Sequence, residues 1–231
     1  VLYKVSFRPV FATLHVTLRP KESLTAAQGT LVSMDTGIVM KTIISGDIAF
    51  AILRRLLGNH PLWVNNFHNP TEEPLSIVLC PAFPGDIIRL DLSQSSLCLQ
   101  PEVHIAHTSQ IKMGIHWIGF SSWFAGQGLF GLKLSGRGLI FIGAHGGINQ
   151  HQVFKKFAVE QGSLLAYSSK IRLKVNFPKG IIGSRVAGYG LVTQLKGGGI
   201  IYLQSRSRSG LGRYTKSRRD QSPVNVNGYE S

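Results

Sequence analysis

Acidic side chains, cysteines and long apolar runs are all scarce in this sequence, and each shortage closes off a class of protein. The 11 Asp and Glu residues are scattered, with Glu72 and Glu73 in a proline-flanked loop, so no paired-carboxylate active site is indicated. Cys80 and Cys98 are the 2 cysteines and show no CxxC spacing, which leaves a reducing compartment or a single opportunistic disulfide. No apolar run approaches the ~18 residues that a membrane-spanning helix requires, so the chain does not read as an integral membrane protein of that kind. The first residue is Val1 rather than Met, and whether a targeting peptide precedes it is left open.

What is plentiful is glycine, apolar residues and positive charge. With 231 residues, 43% of them hydrophobic, the chain can bury a sizeable core, and its 26 glycines suit an all-β body with many tight turns. Lys and Arg number 25 and the formal net charge is +14, an excess that attracts nucleic acid, anionic lipid or an acidic protein partner without choosing among them. Arg206, Arg208, Arg213, Lys216, Arg218 and Arg219 lie among Ser and Gly. Residues 207–231 therefore read as a flexible basic tail.

Repetition organises the rest. Residues 126–146, GQGLFGLKLSGRGLIFIGAHG, read as a hairpin: Phe130, Leu132 and Leu134 alternate with small or polar residues, residues 135–138 carry turn chemistry, and residues 139–142 form an apolar return strand. The pattern recurs as LVTQLKGGGIIYLQ from Leu191 and, with a longer loop, as LWVNNF, HNPTEEP and LSIVL from Leu62. A second segment, QGTLVSMDTGIVMK from Gln28, is echoed by QGSLLAYSSKIRLK from Gln161, and more faintly by residues 99–113. Three units follow, about 15–85, 86–150 and 151–206, and they predict one pseudo-threefold all-β domain over residues 1–206.

Each unit carries an apolar insertion at the same point. In the first, GDIAFAILRRLLGN predicts a short amphipathic helix with Asp47 as N-cap and Gly58 at its end, presenting Ile48, Phe50, Arg54 and Arg55. In the second stand Trp117, Phe120, Trp123 and Phe124; in the third, Phe177, Lys179, Ile181, Ile182 and Arg185. Gathered at one end of the body, apolar groups rimmed by cations would suit a membrane interface or a protein-docking face; the alternative is a lid packed over the core.

Several segments resemble the family of altered inheritance of mitochondria protein twenty-four, also described as tryptophan RNA-binding attenuator-like. They are ESLTAAQGTLVSM (22–34), PGDIIRLDL (84–92), GQGLFGLKLSGRGLIFIG (126–143), GSLLAY (162–167) and IYLQSRS (201–207). The resemblance runs from about residue 5 to 207, leaves out the tail, and departs from the family's glycine-rich form in the first insertion. It implies three fused attenuator-like units, each a short double-stranded β-helix, and a role in organelle membrane organisation. A mitochondrial inner membrane is favoured, with a plastid or a bacterial cytoplasm as the other settings. It brings no catalytic residues.

Chemistry is sparse on the residues as well. Gly126, Gly128 and Gly131 spell GxGxxG, but a strand follows where a dinucleotide fold needs a helix. His104 and His107 stand three apart in a predicted strand and are expected on opposite faces. His145 and His151 flank a glycine turn without a third ligand of metal-binding spacing. The sequence thus predicts no catalytic, cofactor or metal site, and a scaffold or accessory protein on a membrane or membrane-associated complex. RNA binding through the basic tail and loops is the alternative.

Overall fold

The computed structural model describes residues 1–44, 63–117, 130–176 and 192–206, and these form 17 β-strands with two short 3-10 turns and no α-helix. The strands are β1 (Leu2–Ser6), β2 (Thr13–Leu18), β3 (Ser23–Ala27), β4 (Leu31–Met34), β5 (Val39–Ile44), β6 (Trp63–His68), β7 (Leu75–Leu79), β8 (Ile87–Leu99) and β9 (His104–Thr108). They continue as β10 (Ile111–Trp117), β11 (Phe130–Gly143), β12 (Ile148–Val153), β13 (Lys156–Glu160), β14 (Leu164–Ser168), β15 (Arg172–Asn176), β16 (Val192–Lys196) and β17 (Gly199–Gln204). Period-two alternation explains the clearest of them. In β2, Leu14, Val16 and Leu18 are buried while Thr13, His15 and Thr17 are half exposed.

The antiparallel pairings fall into three consecutive stretches of chain. In the first, β2 and β4 flank β7, while β3 and β5 flank β6. In the third, β12 and β14 flank β17, while β13 and β15 flank β16. In the second, the long strands β8 and β11 each do the work of two: the 137–143 half of β11 pairs with β8 and β9, and its 130–135 half with β8 and β10. The stretches are joined by β3 pairing β9 and by β8 pairing β14. The result is a 10-stranded sheet flanked by a 4-stranded and a 3-stranded one.

This corrects the hairpin reading. Residues 130–143 are one continuous strand, and its two halves both pair with β8, the first also with β10 and the second with β9, rather than with each other. Likewise β6 does not pair with β7, nor β16 with β17. The glycines mark a crossing, where the strand passes the turn that follows β9 or β14. Gly136 has φ of 116°, and a Cβ there would lie 2.5 Å from the Gln110 carbonyl oxygen. Gly197 has φ of 121°, and its Cβ would sit 2.9 Å from the Lys170 carbonyl. Only glycine combines that backbone with that proximity. In the first stretch the crossing is made by Asn69, fully buried, whose amide donates to the Leu18 and Glu73 carbonyls and accepts from the Thr71 amide and hydroxyl.

Three apolar clusters follow. One centres on Leu14, Leu18, Leu24, Phe67 and Ile77, and is closed by Ile105 and Phe141 from the next stretch. The second, around Leu99, Leu132, Leu134 and Ile140, is closed by Leu165 and Tyr202. The third, around Val153, Val159, Leu195 and Ile201, keeps Phe157, Leu173 and Leu203 only partly buried at its margin. Each fully buried large side chain contributes roughly 1.5–3 kcal/mol.

Candidate docking surface

The three insertions leave the body at matching places. Residues 45–62 lie between the paired ends Ile44 and Trp63, residues 118–129 between Trp117 and Phe130, and residues 177–191 between Asn176 and Val192. Of the expected docking residues, Trp117 is the last residue of β10. Ile48, Phe50, Arg54, Arg55, Phe120, Trp123, Phe124, Phe177, Lys179, Ile181, Ile182 and Arg185 lie outside the described residues, as does the predicted amphipathic helix. So do Arg208, Arg213, Lys216, Arg218 and Arg219, while Arg206 is exposed just after β17.

The body itself carries a basic face that sequence reading missed by placing the positive charge in the insertions and tail. On the three-stranded sheet, Lys156 is registered against Lys196, and Lys196 against Arg172, so three cations stand side by side across β13, β16 and β15. Lys174 lies on the same face, one alternation further along β15, opposite Gln194. Lys155 and Lys170 flank the row: the Gly197 amide donates to the Lys155 carbonyl at 3.0 Å, and the Lys170 carbonyl packs against Gly197. All six side chains belong to exposed residues, and none forms an ion pair among the described residues. Like charges directly opposite on a sheet repel, so the row is held at a cost that a bound anion would offset. Beside it, in the turn between β12 and β13, Phe154 is 81% exposed. The alternation of Arg172 and Lys174 is visible in the sequence, but the lateral register of three strands is not.

The histidines do not behave as alternation predicts. His104 and His107 are both buried, and their Nε2 and Nδ1 atoms are 2.8 Å apart. The register shift between Phe141 and Ile142 inserts an extra residue, Ile105, into β9, and a bulge returns residues three apart to the same face. Desolvation lowers both pKa values, that of His107 to about 4. The pair is therefore neutral at pH 7, one ring donating to the other. His151 instead stacks on Phe157 with ring centroids 4.3 Å apart, and His145 lies beside Phe83. Cys80 and Cys98 are free thiols, and burial pushes the Cys98 thiol up against the opposing pull of Lys133 and of the hydrogen bond with Tyr167.

These features define an all-β body with a basic face and three insertion roots. The family model described as "Mitochondrial biogenesis AIM24" matches residues 3–206, and the chain belongs to that family. It is also similar to an uncharacterized protein of Streptococcus pyogenes serotype M6, 24% identical over 211 residues, covering 84% of this chain and 82% of the other. Among solved structures, the crystal structure of a Streptococcus pyogenes protein superposes with a TM-score of 0.76 at 18% identity, covering 96% of this chain and 99% of that one. At that identity the likeness speaks to the fold. The family's name links it to mitochondria, and among the described residues no helix is long and apolar enough to cross a membrane.

Proposed function

We propose that this chain is a non-enzymatic platform that docks on an anionic membrane surface, the mitochondrial inner membrane being the setting that its family suggests, and helps organise complexes held there. Its body is a triplication of one attenuator-like β unit; the recurrence of the same four pairings in three stretches supports that reading. The observation that carries the docking role is the Lys156, Lys196 and Arg172 row with Phe154 at its rim. Cations near a membrane rich in anionic lipid contribute about 1 kcal/mol each, and an exposed aromatic ring adds apolar contact at the interface. The insertions and the basic tail extend the same surface chemistry.

The test is co-sedimentation of the full chain with cardiolipin-rich vesicles, against phosphatidylcholine vesicles and against single-stranded RNA. Binding to the anionic vesicles that weakens with salt and is lost in the triple variant Lys156→Glu, Arg172→Glu, Lys196→Glu supports the reading. Unchanged vesicle binding in that variant removes the basic face from it. Preference for RNA over anionic vesicles overturns it in favour of nucleic-acid binding.

A further inference from the structure

Two strands differ from their counterparts in what lies along their outer edges. In both joints between stretches, a strand before the crossing pairs antiparallel with a strand of the following stretch: β3 with β9 and β8 with β14. The same rule asks β13 to pair with the equivalent of β9 and β14, which in the first stretch is β4. Among the described residues it does not: β4 ends the four-stranded sheet and β13 ends the three-stranded one.

The strands can be aligned residue by residue because each of β4, β9 and β14 has its bulge at the same point. Leu31 and Ser33, His104 and Ala106, and Leu164 and Ala166 bracket it, so Val32, Ile105 and Leu165 are equivalent. Ile105 is 1% exposed and Leu165 0%, each packed in the apolar cluster of the preceding stretch. Val32 is 57% exposed. On the other side, Phe157 occupies the place of the buried Leu24 and Leu97, because Phe67, Leu134 and Leu195 are their cross-strand partners. Leu24 and Leu97 are covered; Phe157 is only partly buried at the open margin of its cluster. An uncovered valine stands on one free edge, and an uncapped cluster stands behind the other.

We infer that β13 of one copy pairs antiparallel with β4 of a second copy, so that the chain assembles head to tail through a third joint of the kind it already makes twice within itself. Val32 of the second copy then enters the cluster bordered by Phe157, as Ile105 and Leu165 enter theirs. The internal joints set the register. They pair Ala26 with Ala106 and Thr25 with His107, Leu99 with Ala166 and Cys98 with Tyr167. The intermolecular joint accordingly pairs Val159 with Ser33, Ala158 with Met34 and Phe157 with Asp35. It leaves the outward cation row open because pairing consumes an edge rather than a face. A heterologous joint of this type gives a ring where the rotation closes and a filament where it does not.

Light scattering on the full chain after size exclusion is expected to give a multiple of the 25.3 kDa protomer. Val32→Lys, a change at a side chain already exposed within one copy, is expected to return the mass to one protomer with an unchanged circular dichroism spectrum, whereas Val32→Ile keeps the assembly. Register is read by mixing two differently tagged chains, one carrying Met34→Cys and the other Ala158→Cys. Oxidation should give a covalent dimer containing both tags, and neither chain mixed with tagged wild type should do so. A monomeric wild type overturns the inference, as does an assembly untouched by Val32→Lys. A double variant that cross-links within one chain instead would show that β4 meets its own β13.

Discussion

His104 Nε2 lies 2.8 Å from His107 Nδ1, a buried imidazole pair created by one extra residue in β9. The equivalent positions are Leu31 and Met34 in β4 and Leu164 and Tyr167 in β14. The polar pair is thus a local choice within a site that is otherwise apolar at its first position.

That choice carries a pH dependence. Both histidines have folded pKa values below their unfolded ones because burial disfavours the cation. The unfolded chain therefore takes up more protons as pH falls, and stability is lost from about pH 6.5 down to the folded pKa, about 4 for His107. His107 alone accounts for a loss on the order of 3 kcal/mol over that range. The double variant His104→Leu, His107→Met copies the residues of β4, and its urea-unfolding free energy should fall by correspondingly less between pH 7 and pH 4.

Gly136→Ala tests the crossing. The new Cβ would meet the Gln110 carbonyl at 2.5 Å with φ at 116°, so neither the neighbour nor the backbone can yield cheaply. A loss of roughly 2 kcal/mol or more is expected in chemical denaturation. Gly114→Ala in β10, whose Cβ meets nothing nearer than 3.9 Å, should cost less than half of that.

Arg8 and Asp86 form a two-pronged ion pair, with Nε to Oδ1 at 2.7 Å and Nη2 to Oδ2 at 2.8 Å. Asp86 is buried and also accepts the Ile87 amide at 2.8 Å, while Arg8 is exposed. Here Ala12 donates to the Gly85 carbonyl and Asp86 to the Gly146 carbonyl, so the starts of the three stretches meet. Removing the cation by Arg8→Ala leaves a buried carboxylate under-satisfied, and about 1–3 kcal/mol should be lost by thermal or urea unfolding.

Phe154→Ser separates surface chemistry from folding. The ring is 81% exposed, so stability should change by no more than about 0.5 kcal/mol. Affinity for cardiolipin-rich vesicles should fall several-fold in the same co-sedimentation measurement.

Local pattern determined much of this molecule. Alternation in residues 13–18 and 130–134 marks strands because a half-buried strand has a two-residue period, and the +14 charge and family segments are plain in the sequence. Strand pairing is another matter. The G-x-G of residues 136–138 looks like a turn, since glycine at positive φ serves hairpins and crossings alike; only the neighbouring carbonyl of Gln110 distinguishes them. The same limit hid the basic face. Lys156, Arg172 and Lys196 are separated along the chain and meet through inter-strand register, which is fixed by backbone hydrogen bonds between distant segments. It hid the His104 and His107 pair as well, because a bulge changes the facing of side chains without changing their spacing. The sequence by itself determined which residues could form strands and how much charge the surface would carry. Tertiary structure decided which strands meet, which face gathers the cations, and which strands end the sheets among the described residues, because each depends on contacts between residues that local pattern cannot pair.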